Sequence, residues 1–93
     1  MGYSSTPFYP YEMPKSIFSA SQEKLQNLLK KSRLDAKLSQ VELAKKLKRP
    51  QSFVSKYESG ERRLDMVELR EICQMLKIPL PTFAKRFEKS LKA

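Results

Sequence analysis

Histidine is absent from this 93-residue chain, and cysteine occurs once, as Cys73. Without histidine no Ser-His or Cys-His catalytic relay can be assembled, and without a Cys/His set no zinc site of the usual kind can form. A lone cysteine cannot close an internal disulfide. Cys73 sits among Leu69, Ile72 and Leu76 at helical spacing, where it reads as a small buried apolar residue. No apolar run approaches the ~20 residues that a membrane-spanning helix needs, and the N-terminus lacks the basic-then-apolar order of a secretory leader. The chain is therefore expected in the cytoplasm. Alternating β-branched runs and internal repeats are missing as well, which leaves helices as the available architecture.

Acid is scarce and base is plentiful: 10 Asp and Glu stand against 19 Lys and Arg, a formal charge of +9. Such a balance favours a polyanionic partner, nucleic acid first and an anionic membrane surface second. A domain of this length buries only roughly two thirds of its surface on folding, too little for an enzyme cleft with its own cofactor fold. Neither an enzymatic activity nor a cofactor is expected, and nothing marks a membrane partner.

Composition breaks near residue 20. "MGYSSTPFYPYEMPKSIFS" carries four Pro or Gly punctuation points and three tyrosines with no helical or alternating period, so residues 1–20 read as an extended N-terminal arm. Its few charges argue against a DNA-binding arm. Phe8, Tyr9 and Tyr11 beside proline suit docking on an apolar groove, of this domain or of a partner protein. From residue 21 to 93 apolar residues recur three and four apart, the helical signature. Helices are expected over about 21–36, 40–47, 51–58, 65–76 and 80–91. In "LSQVEL", Ser39 and Glu42 form a capping box and Leu38 with Leu43 a hydrophobic staple; "LDMVEL" repeats this grammar with Asp65, Glu68, Leu64 and Leu69. Pro50 and Pro81 suit first-turn positions, where the missing N–H would have no partner anyway.

The second and third helices are each about eight residues long, too short to stand alone in water, so both must be held by packing. Joined only by Lys48, Arg49 and Pro50, they form a helix-turn-helix. At about 100° per residue, Gln51, Ser52, Ser55 and Lys56 share one arc of the third helix, and Phe53, Val54 and Tyr57 share the opposite one. Amides, hydroxyls and an ammonium match the donors and acceptors of base edges, whereas a face of carboxylates would be repelled by phosphate.

The run "LSQVELAKKLKRPQSFVSKYESGERRLDMVELREICQMLKIPLPTF" resembles the Xre/Cro-type helix-turn-helix domain of bacterial and phage repressors, and with the first helix the likeness covers roughly residues 21–84. The resemblance implies an all-α, five-helix, lambda-repressor-like bundle. It implies that Gln40, opening the second helix, contacts phosphate, that Gln51, Ser52, Ser55 and Lys56 read bases, and that Glu58 pairs structurally with Arg33. An anion beside Gln40 also follows from the free N–H groups of a helix N-terminus. Where relatives usually carry glycine this chain has Lys37, Lys48 and Lys77, and Pro50 replaces the usual Ser or Thr cap before the third helix.

Between Lys30 and Arg63 there are 11 basic residues against four acidic ones, so most of the charge excess is local. Lys48, Arg49, Arg62 and Arg63 flank the third helix and are expected to hold phosphates on either side of the groove. Useful specificity generally needs a two-fold dimer, and Phe87 and Leu91, on an apolar stripe of the fifth helix, are the candidate contacts. The reading is a sequence-specific double-stranded DNA-binding regulator, a homodimeric repressor. The alternative is an antitoxin-like module that neutralises a partner protein, with DNA binding secondary.

Overall fold

The computed structural model describes residues 15–92, and among these the architecture is all-α. Five helices follow in order: α1 (Lys15–Asp35), α2 (Gln40–Leu47), α3 (Gln51–Ser59), α4 (Met66–Met75) and α5 (Leu80–Lys92). Four match the expected spans to within a residue at each end. The first begins at Lys15, well before the expected start near residue 21. Past Pro14 the sequence offers neither proline nor glycine until Pro50, so nothing stops the helix from extending back to Lys15. Residues 15–20 of the expected arm are thus helical; residues 1–14, with Phe8, Tyr9 and Tyr11, lie outside the described residues.

Both capping boxes form. Ser39 accepts from the Glu42 N–H at 3.0 Å while Glu42 accepts from the Ser39 N–H at 2.8 Å, and Asp65 and Glu68 exchange the same bonds at 2.7 and 3.0 Å. The Ser39 N–H, with the Ser39 side chain second, holds the Glu42 carboxyl below its ordinary range. Pro50 serves as the N-cap of α3, one residue ahead of the first-turn position expected for it, and it supplies no side-chain cap.

Three junctions share one construction. Lys37, Lys48 and Lys77 each take a left-handed backbone, with φ of 60°, 58° and 60°. In each case the next N–H bonds a carbonyl five residues back: Leu38 to Arg33, Arg49 to Ala44 and Ile78 to Cys73. That pattern satisfies the last carbonyls of a helix and turns the chain sharply. Glycine takes this backbone without strain, whereas lysine does not.

The core joins Leu29 of α1, Leu43 of α2, Val54 and Tyr57 of α3, Ile72 of α4 and Phe83 of α5, each 2% exposed or less. Cys73 lies in the same core and is buried, which pushes its thiol up to about 11 and keeps it protonated. Packed this way, α2 and α3 are supported from below by α1, α4 and α5, and the outer side of α3 is left to solvent.

Candidate nucleic-acid interface

Phe53, Val54 and Tyr57 turn inward, with the Phe53 and Tyr57 rings edge to face at 5.4 Å. The same 100° winding then turns Gln51, Ser52 and Lys56 outward, all three exposed, with Ser55 half-buried beside them. The four residues expected to read bases therefore share one solvent-facing arc.

A chain of polar contacts runs beneath that arc. Arg33 Nε and Nη2 donate to the two oxygens of Glu58 at 2.8 and 3.1 Å, and Arg33 Nη1 donates to the Leu38 carbonyl at 2.7 Å. The hydrogen bond to Glu58 is the main reason the Arg33 guanidinium is raised above its ordinary value. Their side chains are only 7% and 4% exposed, so the pair is a buried, bidentate one. Gln40 Nε2 donates to Glu58 Oε1 at 3.1 Å, and Gln51 Nε2 donates to Gln40 Oε1 at 2.9 Å. The direction is forced. An ionised carboxylate only accepts, so Gln40 must turn its NH₂ to Glu58 and its carbonyl to Gln51, which must answer with its own NH₂. The carbonyl oxygen and the remaining N–H of Gln51 are left facing outward. That is the acceptor-donor pair an adenine edge requires.

The positions expected to meet phosphate divide into three groups. Gln40 is half-buried at the first turn of α2, with its amide engaged as described. Lys48 and Arg63 are exposed at the two ends of α3, and neither forms an ion pair among the described residues. Arg49 and Arg62 are engaged within the protein. Arg62 Nη1 and Nη2 donate to Glu68 at 3.0 and 2.6 Å, while Arg49 stands 3.7 Å from Glu68 and 3.5 Å from Glu71. Both guanidiniums lie over the Phe53 ring, at 4.5 Å for Arg49 and 4.8 Å for Arg62. The Arg62 hydrogen bonds, with the Asp65 N–H second, hold the Glu68 carboxyl at about 2.

Sequence reasoning missed both the Gln40–Gln51 bond and the cluster on Phe53. The first had one available signal, a glutamine as the opening residue of both α2 and α3. The second had none, because Arg49, Phe53, Arg62 and Glu68 share no helical face.

The dimer candidates lie on α5. Phe87 is half-buried in an apolar groove of about 440 Å³ between α1, α4 and α5, with Leu25, Met66, Leu69 and Leu80 among its walls. Leu91 is 37% exposed, and Met66 and Val67 at the start of α4 are more open still, at 68% and 66%. Among the described residues no helix is long and apolar enough to cross a membrane, and no cluster of acidic or cysteine side chains could hold a metal ion.

A family model described as helix-turn-helix matches residues 29–83. Among solved structures, the chain is similar to an XRE-family like protein from Pseudomonas syringae pv. tomato str. DC3000, with 40% identity and a TM-score of 0.75 over 81% of this chain and 92% of that one. It is also similar to the restriction-modification controller protein C.Esp1396I, with 25% identity and a TM-score of 0.73 over 78% of this chain and 96% of that one. A search of curated proteins finds no match.

Proposed function

The chain belongs to the XRE-type family of helix-turn-helix proteins and is a DNA-binding regulator of transcription, and from that premise we propose that it represses by occupying a specific operator with α3 in the major groove. The observation that carries this reading is the orientation of the Gln51 amide, fixed through Gln40 by the buried Arg33–Glu58 pair. A side chain aimed before DNA arrives loses little freedom on binding, which is what a base-reading residue needs. Gln51 reads adenine through its outward carbonyl and N–H. Lys56 donates to guanine, and Ser52 and Ser55 serve base or phosphate according to register.

Phosphates are met by Gln40 and by the first-turn amides of α2 and α3, where the helix dipoles favour an anion. Lys48 and Arg63 flank them on either side of α3. The restriction-modification controller protein supports the regulatory reading by its name alone. Repression by operator occupancy needs no ligand-sensing domain; it places the protein in the cytoplasm with the DNA.

The functional unit is a homodimer. One α3 spans few base pairs, and two-fold partners reading half-sites about one helical turn apart multiply the discrimination. The groove between α1, α4 and α5, walled by Phe87 and Met66, together with the exposed Leu91 and Val67 of α5 and α4, is the apolar surface available for it.

Selection from random duplex DNA tests the reading directly. A two-fold symmetric consensus is expected, bound with a log–log salt slope near 0.9 per phosphate neutralised. Gln51→Ala should reduce preference for that consensus by about 1 to 3 kcal/mol while sparing non-specific affinity. Binding without any sequence preference would overturn it.

A further inference from the structure

The cluster on Phe53 ties both ends of α3 to α4. Arg49 precedes α3, Arg62 follows it, Phe53 belongs to its first turn, and Glu68 and Glu71 stand on α4. The main helix-helix packing of α3 is on α2 and α1, so this side-chain cluster is a polar tie to α4 added to the core they share. We propose that Glu68 is a positioning residue for sequence discrimination: it holds Arg62 and Arg49 on the Phe53 ring, sets the angle at which α3 presents Gln51, and leaves neither arginine to contact phosphate.

Three features carry the inference, which rests on the DNA-reading role of α3. Arg62 has most of its donors committed, two to Glu68 at 2.6 and 3.0 Å and Nη1 also to the Arg63 carbonyl at 3.0 Å. A phosphate would have to displace an ionised carboxylate and strip the guanidinium from an aromatic face at once. Glu68 is itself only 12% exposed in its side chain, and its Oε1 also accepts from the Asp65 N–H at 3.0 Å, so the start of α4 fixes where it stands. Two guanidiniums over one ring repel each other unless a carboxylate lies between them, and Glu68 Oε2, 2.6 Å from Arg62 and 3.7 Å from Arg49, is so placed.

The planar fork of arginine is what this arrangement uses, and lysine cannot reproduce it, although lysine serves a phosphate well. That difference supplies the test. Binding of the full chain and of Arg62→Lys, Arg62→Gln and Glu68→Gln to the selected consensus and to random duplex is measured across salt, with circular dichroism confirming the fold. Glutamine at position 68 can still complete the capping box, so α4 keeps its start. A positioning role predicts that all three variants lose about tenfold in discrimination between consensus and random duplex, and that both Arg62 variants keep the parent salt slope.

Two outcomes would overturn it. If Arg62→Gln lowers the slope by about 0.9 on both duplexes while Arg62→Lys matches the parent, Arg62 is a phosphate contact. If Glu68→Gln binds consensus and random duplex more tightly by the same factor, so that discrimination matches the parent, Glu68 only holds the arginines off phosphate and does not position α3. Should Arg62→Gln or Glu68→Gln fail to fold, Arg62→Lys decides alone through its loss or retention of discrimination. A parent that prefers no sequence refutes the DNA-reading role itself; a discriminating parent with unchanged variants refutes only the positioning role.

Discussion

Glu58 shows how much of the reading face depends on a residue that touches no base. Its carboxylate, 4% exposed, holds Arg33 and through Gln40 the direction of Gln51. Glu58→Ala would strand a buried guanidinium, so unfolding in urea should show a loss of about 3 to 5 kcal/mol. Gln40→Ala makes a separate prediction. It leaves the ion pair intact, frees the Gln51 amide and removes one phosphate contact, so stability should change little while affinity for all DNA drops and preference for the consensus falls as well, by about 1 kcal/mol in a competition assay. At this scale the sequence was partly legible. Glu58 falls at the edge of the apolar arc, where an unpaired carboxylate would be costly, so position called for a partner, but it was the family resemblance that named Arg33. The Gln40–Gln51 bond spans eleven residues and exists only because the crossing of α2 and α3 brings their first turns together, which no residue spacing encodes.

Helix ends were the most legible elements, because capping is local chemistry written in consecutive residues. Both boxes could be read from "SQVE" and "DMVE". The extra turn and a half of α1 could not, since proline and tyrosine upstream obscured a helix that simply starts after the last proline. Lys37, Lys48 and Lys77 adopt the backbone that glycine favours, each at some cost in strain. Replacing each by glycine should stabilise the fold by about 0.5 kcal/mol, the relief of strain being partly offset by lost favourable charge at a helix C-terminus. Thermal melts of Lys37→Gly and Lys77→Gly should rise with DNA binding unchanged, whereas Lys48→Gly should melt higher and yet lose about 0.9 from its salt slope. A rise in stability together with a loss of DNA affinity would mark Lys48 as strained for function. The start of α4 adds a pH dependence. Glu68 has its carboxyl held at about 2 against an ordinary value near 4.5. A depressed folded value means that its contribution is fully present above about 4.5 and is lost as pH falls toward about 2. Melting temperature should therefore fall through that window, and Glu68→Gln should flatten the decline.

At the scale of the whole molecule, exposed charge and exposed apolar surface act against each other. The exposed cations Lys48, Lys56 and Arg63 accompany α3, while the apolar groove lies between α1, α4 and α5. Net charge of +9 on so small a chain disfavours self-association through general repulsion. A dimer must therefore be driven by a surface that buries enough apolar area, on the order of 800 Å² from each partner. The groove offers Phe87 and Met66, and α5 and α4 add the exposed Leu91 and Val67. The sequence singled out Phe87 and Leu91 from a helical stripe longer than the core could cover, but it passed over Met66. That residue opens α4, where the helix is not yet flanked by its neighbours, and helical period alone does not tell which end of a stripe is covered. Val67 is 66% exposed and so contributes little to the monomer's core, which makes Val67→Asp the cleanest probe. Sedimentation of the parent should show concentration-dependent dimers that Val67→Asp shifts toward monomer with its circular dichroism unchanged. On DNA the same variant should bind a single half-site as the parent does and lose the cooperativity on the full symmetric site, because the groove acts on the second α3 and not on the first. Equal loss on half-site and full site would mean instead that α4 acts on its own α3, and the dimer would have to be sought on another face.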